Sequence, residues 1–150
     1  MPNGMPFDTI RLKYKRGDDM LNKKEILNLI DEAIIARESA YAKFSNFKVG
    51  AVLIDDKGNH YSGCNVENSS YGLSICGERN AIFHAVSKGM KKIKVIAVVG
   101  ETEGPISPCG ACRQVINEFS TEDTVVIMAN MKKEYQILKF DNLLPYGFRL

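Results

Sequence analysis

Apolar residues change their spacing several times along this chain, and each change marks an element. From Lys24, Ile26, Ile30, Ile34 and Tyr41 recur at i+4 and i+7, with Ala33 beside them. Lys24, Asp31, Glu38 and Lys43 fall on other faces, so the spacing predicts a helix to about Ala42. Residues 47–54 (FKVGAVLI) then read as a strand. Residues 55–59 (DDKGN) read as a hairpin turn, and His60–Cys64 as the returning strand. Residues 65–74 are polar and irregular.

A second helix is expected from near Cys76, with Ala81, Ile82, Ala85 and Val86 as its apolar face and Gly89 just past its end. The run 94–99 (KVIAVV) suits a strand covered on both faces. Ser107 followed by Pro108 reads as an N-cap and first helical residue, opening a third helix over about 109–119. Residues 124–128 (TVVIM) form another buried strand. The connection to the strand near 135–140 is too short for a crossover helix, so these last two strands should be antiparallel. A short helical turn should follow. The order α-β-β-α-β-α-β-β implies an α/β fold: a sheet with helices on its faces and one right-handed parallel βαβ unit.

Residues 1–22 mix proline, glycine and charge without period and read as a tail, with Met20 as an alternative start and 23–150 as one domain. A chain of 150 residues buries roughly 70% of its unfolded surface and needs no disulfide staples. The net charge of +2 is local: residues 1–24 hold six basic and three acidic side chains, leaving 14 against 15 for the remainder. A near-neutral body lacks the basic stripe of a protein that tracks phosphates, which favours a small-molecule substrate over nucleic acid. No apolar run approaches the ~18 residues of a membrane span, and residues 1–20 lack the apolar stretch of a secretory signal. A cytoplasmic protein with reduced thiols is expected.

Cys109 and Cys112 form a Cys-x-x-Cys at a helix start, one turn apart on one face. The dipole there favours the thiolate. The pair alone suits a metal, a redox couple or two small helix residues. Cys76 adds a third thiol at another helix start. Three protein ligands with one open position is the pattern of catalytic zinc, whereas structural zinc is closed by four. Glu78, about 200° around the helix from Cys76, is placed to be a nearby carboxylate that is not a ligand. Arg79 shares the face of Cys76 and can withdraw charge from thiolate sulfur. Cys64 offers a fourth thiol for a closed site, but it stands at a strand end in no close pair.

These residues, with Tyr41-Ala42, 44–51 (FSNFKVGA), 63–68 (GCNVEN), 76–79 (CGER), 107–114 (SPCGACRQ) and Leu143-Leu144-Pro145, resemble the small zinc-dependent cytidine deaminases of nucleoside salvage over about 24–148. The zinc-deaminase signature is itself a ligand-x-Glu motif followed by Pro-Cys-x-x-Cys. The resemblance implies a three-layer α-β-α fold with a mixed five-stranded sheet. It implies one zinc per chain on Cys76, Cys109 and Cys112, with Glu78 as proton shuttle and Arg79 and Gln114 behind the ligands. Asn65 and Glu67 would bond the ribose 3′-hydroxyl, Phe47 would pack on the pyrimidine, the Gly77 N–H would contact the base, and Tyr71 would help order the site. Phe148 would reach a neighbour's pocket in a homotetramer. Two positions depart from the family pattern: Gly77 stands where alanine is common, and Lys43-Phe44 where Pro-Tyr is usual.

The implied reaction is hydrolysis of free cytidine or 2′-deoxycytidine to the uracil nucleoside and ammonia. Its rivals are a deaminase of a modified cytosine nucleoside, a polynucleotide deaminase and a zinc-binding interaction module. The Asn65/Glu67 pair argues for an unsubstituted ribose. Cys76 as first ligand and the short final connection argue against polynucleotide relatives. An interaction module would bind zinc without turnover and would not need Glu78.

Overall fold

The computed structural model describes residues 21–150. The expected tail, 1–22, therefore lies outside the described residues apart from Leu21 and Asn22, as does Met20. Both described residues are engaged. Leu21 packs on the core. Asn22 caps the first helix, α1 (Lys23–Glu38), in a capping box with Glu25: each side chain accepts the other's backbone N–H, at 3.0 and 2.6 Å.

Five strands follow: β1 (Val49–Asp55), β2 (His60–Cys64), β3 (Ile93–Gly100), β4 (Val125–Asn130) and β5 (Tyr135–Lys139). They form one sheet in the order β2-β1-β3-β4-β5. Only β3 and β4 are parallel, joined through α3 (Gly110–Phe119); β1–β2, β1–β3 and β4–β5 are antiparallel. The mixed sheet with antiparallel last strands is the architecture expected.

Strand alternation sorts the core into two layers. Ile26, Leu29, Ile30 and Ala33 of α1 pack on Val52, Val95, Ala97, Val99, Ile127 and Ala129. On the other face Ala81, Ile82 and Ala85 of α2 (Gly77–Ser87), with Ile116 of α3, pack on Val49, Ala51, Leu53, Ile96, Val98, Val126 and Met128. The result is three layers, helix–sheet–helix. Glycines set two of the close approaches: a Cβ at Gly50 would strike the Ala33 carbonyl, and one at Gly63 the Ala81 backbone.

Four local expectations need correction. The first helix ends at Glu38, not Ala42. Tyr41 leaves it to bridge Val66, exchanging backbone bonds with Asn65 and Glu67, because pairing with a distant segment outweighs another helical turn. The first strand begins at Val49, so Phe47 and Lys48 belong to a loop. Val86 is exposed rather than part of the buried face of α2. The N-cap of α3 is Cys109, not Ser107, and Pro108 precedes the helix. Its carbonyl accepts from Arg113 Nε at 2.8 Å, a contact made by a side chain one turn further on. The end of α2 follows expectation: Gly89 has φ +92°, and the Gly89 and Met90 N–H groups close back on Val86 and Ala85.

Candidate active site

The three cysteines expected as ligands meet where α2 and α3 begin. Cys76 is the N-cap of α2, Cys109 the N-cap of α3, and Cys112 lies in the first turn of α3. Neither N-cap side chain accepts a backbone N–H of its own helix. All three Sγ atoms lie within 4.8 Å of one another, and Cys76 and Cys109 are 3.8 Å apart. A tetrahedral zinc with Zn–S arms of about 2.3 Å has edges of about 3.8 Å. Cys64, at the end of β2, is outside the cluster.

Arg79 Nη2 donates to Cys76 Sγ at 3.4 Å, as the i+3 spacing suggests. Its Nε is buried without a hydrogen-bond partner, the one such side-chain atom among the described residues. A guanidinium turned toward Cys76 and Cys112 suits the net negative charge that three thiolates on one divalent ion would carry. The residues present therefore fit zinc.

The electrostatics separate the thiols. A hydrogen bond from Cys112 does most to lower Cys76; Arg79 adds to it against the cost of burial, and the Cys76 pKa falls to about 5. Cys112, the donor in that pair and itself buried, is raised. Glu78 is 4% exposed. Burial pushes its carboxyl up to about 7, and the Cys76 thiolate adds to the rise. A bond from its own backbone N–H, one from Cys112 and the Arg79 charge offset part of it. This is a buried carboxyl beside the three thiols with a pKa near neutrality, a value at which proton exchange is possible.

The loop between α1 and β1 ends at Val49, whose backbone lies beside Gly77 in the first turn of α2. Phe47 lies over Gly100 at the end of β3, where a Cβ would come 3.2 Å from its ring and 2.8 Å from Ile106. Asn65 and Glu67, given to the ribose by resemblance, also hold this loop. Asn65 accepts the Val49 N–H and donates to the Phe47 carbonyl, both at 2.8 Å. Glu67 accepts the N–H groups of Phe44 and Ser45 at 3.0 Å. The Ser45 N–H contributes most to lowering the Glu67 pKa. Gly77 is buried at the first turn of α2, and a Cβ there would sit 3.2–3.4 Å from Val49, Cys64 and Asn65. Alanine would fit only if these backbones gave by a few tenths of an ångström.

Tyr71 is exposed and meets Phe44 edge-on at 5.5 Å. Gln114 does not reach the cysteines through a hydrogen bond. Its amide donates to the Phe148 carbonyl at 3.3 Å, alongside Asn117 at 2.9 Å. The Phe148 ring remains 68% exposed. A surface cavity of about 640 Å³, lined by Glu103, Gly104, Pro105, Glu134 and Tyr135, includes none of these residues. Sequence reasoning gave no role to Asn117, Arg113 or Arg37. Arg113 ties the Pro108 and Leu143 carbonyls together and so fixes the approach to Cys109. The motif 107–114 contains it, but only the folded C-terminal segment shows what it binds.

Three clustered thiols that fit zinc beside a buried carboxyl are the kind of donor set a metal-assisted hydrolase uses. The family model of the cytidine and deoxycytidylate deaminase zinc-binding region matches residues 23–128, and the chain belongs to this family of zinc-binding enzymes. A cytidine deaminase of Sporosarcina psychrophila is 48% identical over 124 residues, 83% of this chain and 91% of the relative. One from Halalkalibacterium halodurans is 48% identical over 80% of this chain and 91% of its own. Among solved structures, the Burkholderia pseudomallei cytidine deaminase superposes with a TM-score of 0.79 at 49% identity, covering 81% of this chain and 98% of that one. The Mycobacterium tuberculosis enzyme gives 0.71 at 33%, covering 83% and 97%.

Proposed function

We infer that this chain is a zinc-dependent cytidine deaminase of pyrimidine salvage. It hydrolyses cytidine and 2′-deoxycytidine to uridine and 2′-deoxyuridine with release of ammonia. The observation that carries this is the buried Glu78 carboxyl beside the Cys76–Cys109–Cys112 cluster. A bound zinc ion supplies Lewis acidity, making water nucleophilic near neutral pH and stabilising developing negative charge. Glu78 takes a proton from the water that attacks C4 and delivers one to N3. It then takes the proton of the C4 hydroxyl and passes it to the exocyclic amine, so that the C4–N bond breaks, ammonia leaves and the C4 carbonyl forms. Arg79 balances the thiolates. Phe47 packs on the pyrimidine, Asn65 and Glu67 bond the ribose while holding the loop, the Gly77 N–H meets the base, and Tyr71 orders the rim through Phe44. Loss of the cytosine absorbance band when purified protein meets cytidine tests the reading; a zinc-loaded protein without that loss would overturn it.

The enzyme works as a homotetramer with shared sites, in the cytoplasm, on free nucleosides rather than nucleic acid or membrane. Exposed aromatic residues support this: Phe47, Tyr71 and Phe148 are all exposed in the single chain, and the Phe148 carbonyl is held by Asn117. All four cysteines are free thiols, which suits a reducing compartment. Among the described residues no helix is long and apolar enough to cross a membrane. Phe148→Ala should raise KM about tenfold, as loss of one aromatic contact implies, with zinc retained. A fully active monomer in sedimentation would exclude sharing.

A further inference from the structure

Arg37, in the last turn of α1, is buried, and its three donor nitrogens go to three different places. Nε donates to the Lys48 carbonyl at 3.1 Å, Nη2 to Glu101 at 2.9 Å and Nη1 to Glu38 at 3.3 Å. The first two partners flank the seat of Phe47. Lys48 is the residue after Phe47 in the loop that carries the ring. Glu101 is the residue after Gly100, on which the ring lies. One planar guanidinium thus ties the carrier of the ring to the strand end beneath it.

The rest of the loop is held from the other side, by Glu67 at Phe44 and Ser45 and by Asn65 at Phe47 and Val49. Only Arg37 connects the loop to the end of β3 through a side-chain hydrogen bond among those identified in the described residues. Lysine cannot reproduce this, because a single ammonium lacks the rigid fork that reaches a carbonyl and a carboxylate in fixed directions.

We propose that Arg37 is a positioning residue for the deaminase site, acting with Glu101 to hold the Phe47 ring where the pyrimidine packs. This rests on the reading that Phe47 faces the pyrimidine. The site machinery itself is untouched by Arg37, so substrate affinity rather than the proton chemistry should respond.

The test is a double-mutant cycle on the zinc-loaded enzyme, following KM and kcat for cytidine together with zinc content. Arg37→Met should raise KM about fivefold, the size of one lost buried hydrogen bond, with kcat within about twofold and zinc unchanged. Arg37→Lys should recover little of this. Glu101→Gln, at an exposed position that does not threaten folding, should raise KM about twofold, in line with the weak coupling of exposed ion pairs. In a Phe47→Ala background both substitutions should leave KM unmoved. Equal effects in the two backgrounds would show that Arg37 acts on general stability and would overturn the proposal alone. So would an unchanged KM in Glu101→Gln or in a folded Arg37→Met variant. If Phe47→Ala itself left KM unchanged, the Phe47 reading would fall, and this proposal with it.

Discussion

Asp55 and Glu78 are both carboxyl groups withdrawn from water, 1% and 4% exposed, yet they are pushed to opposite sides of the ordinary carboxylate pKa. Burial raises both. At Asp55, at the turn of the β1–β2 hairpin, it is outweighed by the Asn59 side chain at 3.0 Å and by the backbone N–H groups of Asn59 and Lys57 at 2.8 and 2.9 Å, with the Lys57 charge assisting. Glu78 has fewer donors, its own N–H and the Cys112 thiol, and a thiolate nearby. A buried carboxylate saturated with donors is a fixed structural anion. One that is left short of donors exchanges protons. Burial alone does not distinguish a hairpin staple from a catalytic group; the donor count does.

The largest expected effect lies on the Glu78 side. Glu78→Gln is nearly isosteric and keeps a hydrogen-bonding group, but it cannot accept or deliver the proton. Turnover should fall by about 10⁴-fold or more, the top of the range for general acid–base catalysis, with zinc content and folding retained. A variant keeping more than about a tenth of wild-type turnover would remove Glu78 from the proton-shuttle role. The wild-type pH–rate profile should show an acid limb, because the carboxyl must be ionised to accept a proton. Burial raises this carboxyl above the ordinary carboxylate range, so the rate should fall as pH drops through that raised value.

Asp55→Ala should do the reverse: stability falls and catalysis does not. Losing the buried charged acceptor of two backbone N–H groups should cost about 2–3 kcal/mol and lower Tm by roughly 5–10 °C in a protein of this size, with kcat within about twofold. Because the folded pKa of Asp55 lies below its unfolded value, its stabilisation is complete above the ordinary carboxylate pKa. It is lost as pH falls through the folded value. The Tm gap between wild type and variant should therefore shrink below about pH 4. A gap that widens with acid would reverse the assignment.

Helix starts extend the same contrast. α1 opens on a closed capping box, whereas α2 and α3 open on cysteines that make no side-chain cap and meet in one thiol cluster. Asn22→Ala should cost about 1 kcal/mol without changing zinc content or KM, read from thermal melts and steady-state kinetics. The smallest expected effect belongs to Cys64→Ala, which should keep one zinc per chain by metal analysis. Zinc loss there would mean a closed four-cysteine site and would make Glu78 structural as well.

Much of this molecule is written locally. The element order, the parallel βαβ unit, the antiparallel final strands and Gly89 at a helix end all follow from period and turn chemistry within short windows. The motifs at 76–79 and 107–112 carry the three thiols and Glu78 at helix-start spacings that hold before any packing is known. Segment ends were less legible. Tyr41 has the helical phase of α1 but pairs with Val66, 25 positions on by residue number. Ser107 looks like a cap because Pro108 follows it, yet Arg113 holds the Pro108 carbonyl, and Cys109 takes the cap position.

The sequence by itself determined which atoms are available for the chemistry: three thiols, one carboxyl, one guanidinium and the helices that present them. Tertiary structure alone decided how many donors each buried carboxyl would meet. It also decided that Asn65, Glu67 and Arg37 would converge on one loop, and that Gln114 would bond the Phe148 carbonyl rather than stand behind the cysteines. Helical phase and caps depend on neighbours three or four residues away. Burial of a carboxyl is settled only when the sheet closes on its helices, and the donors and charges it then meets decide whether the cost of that burial is offset.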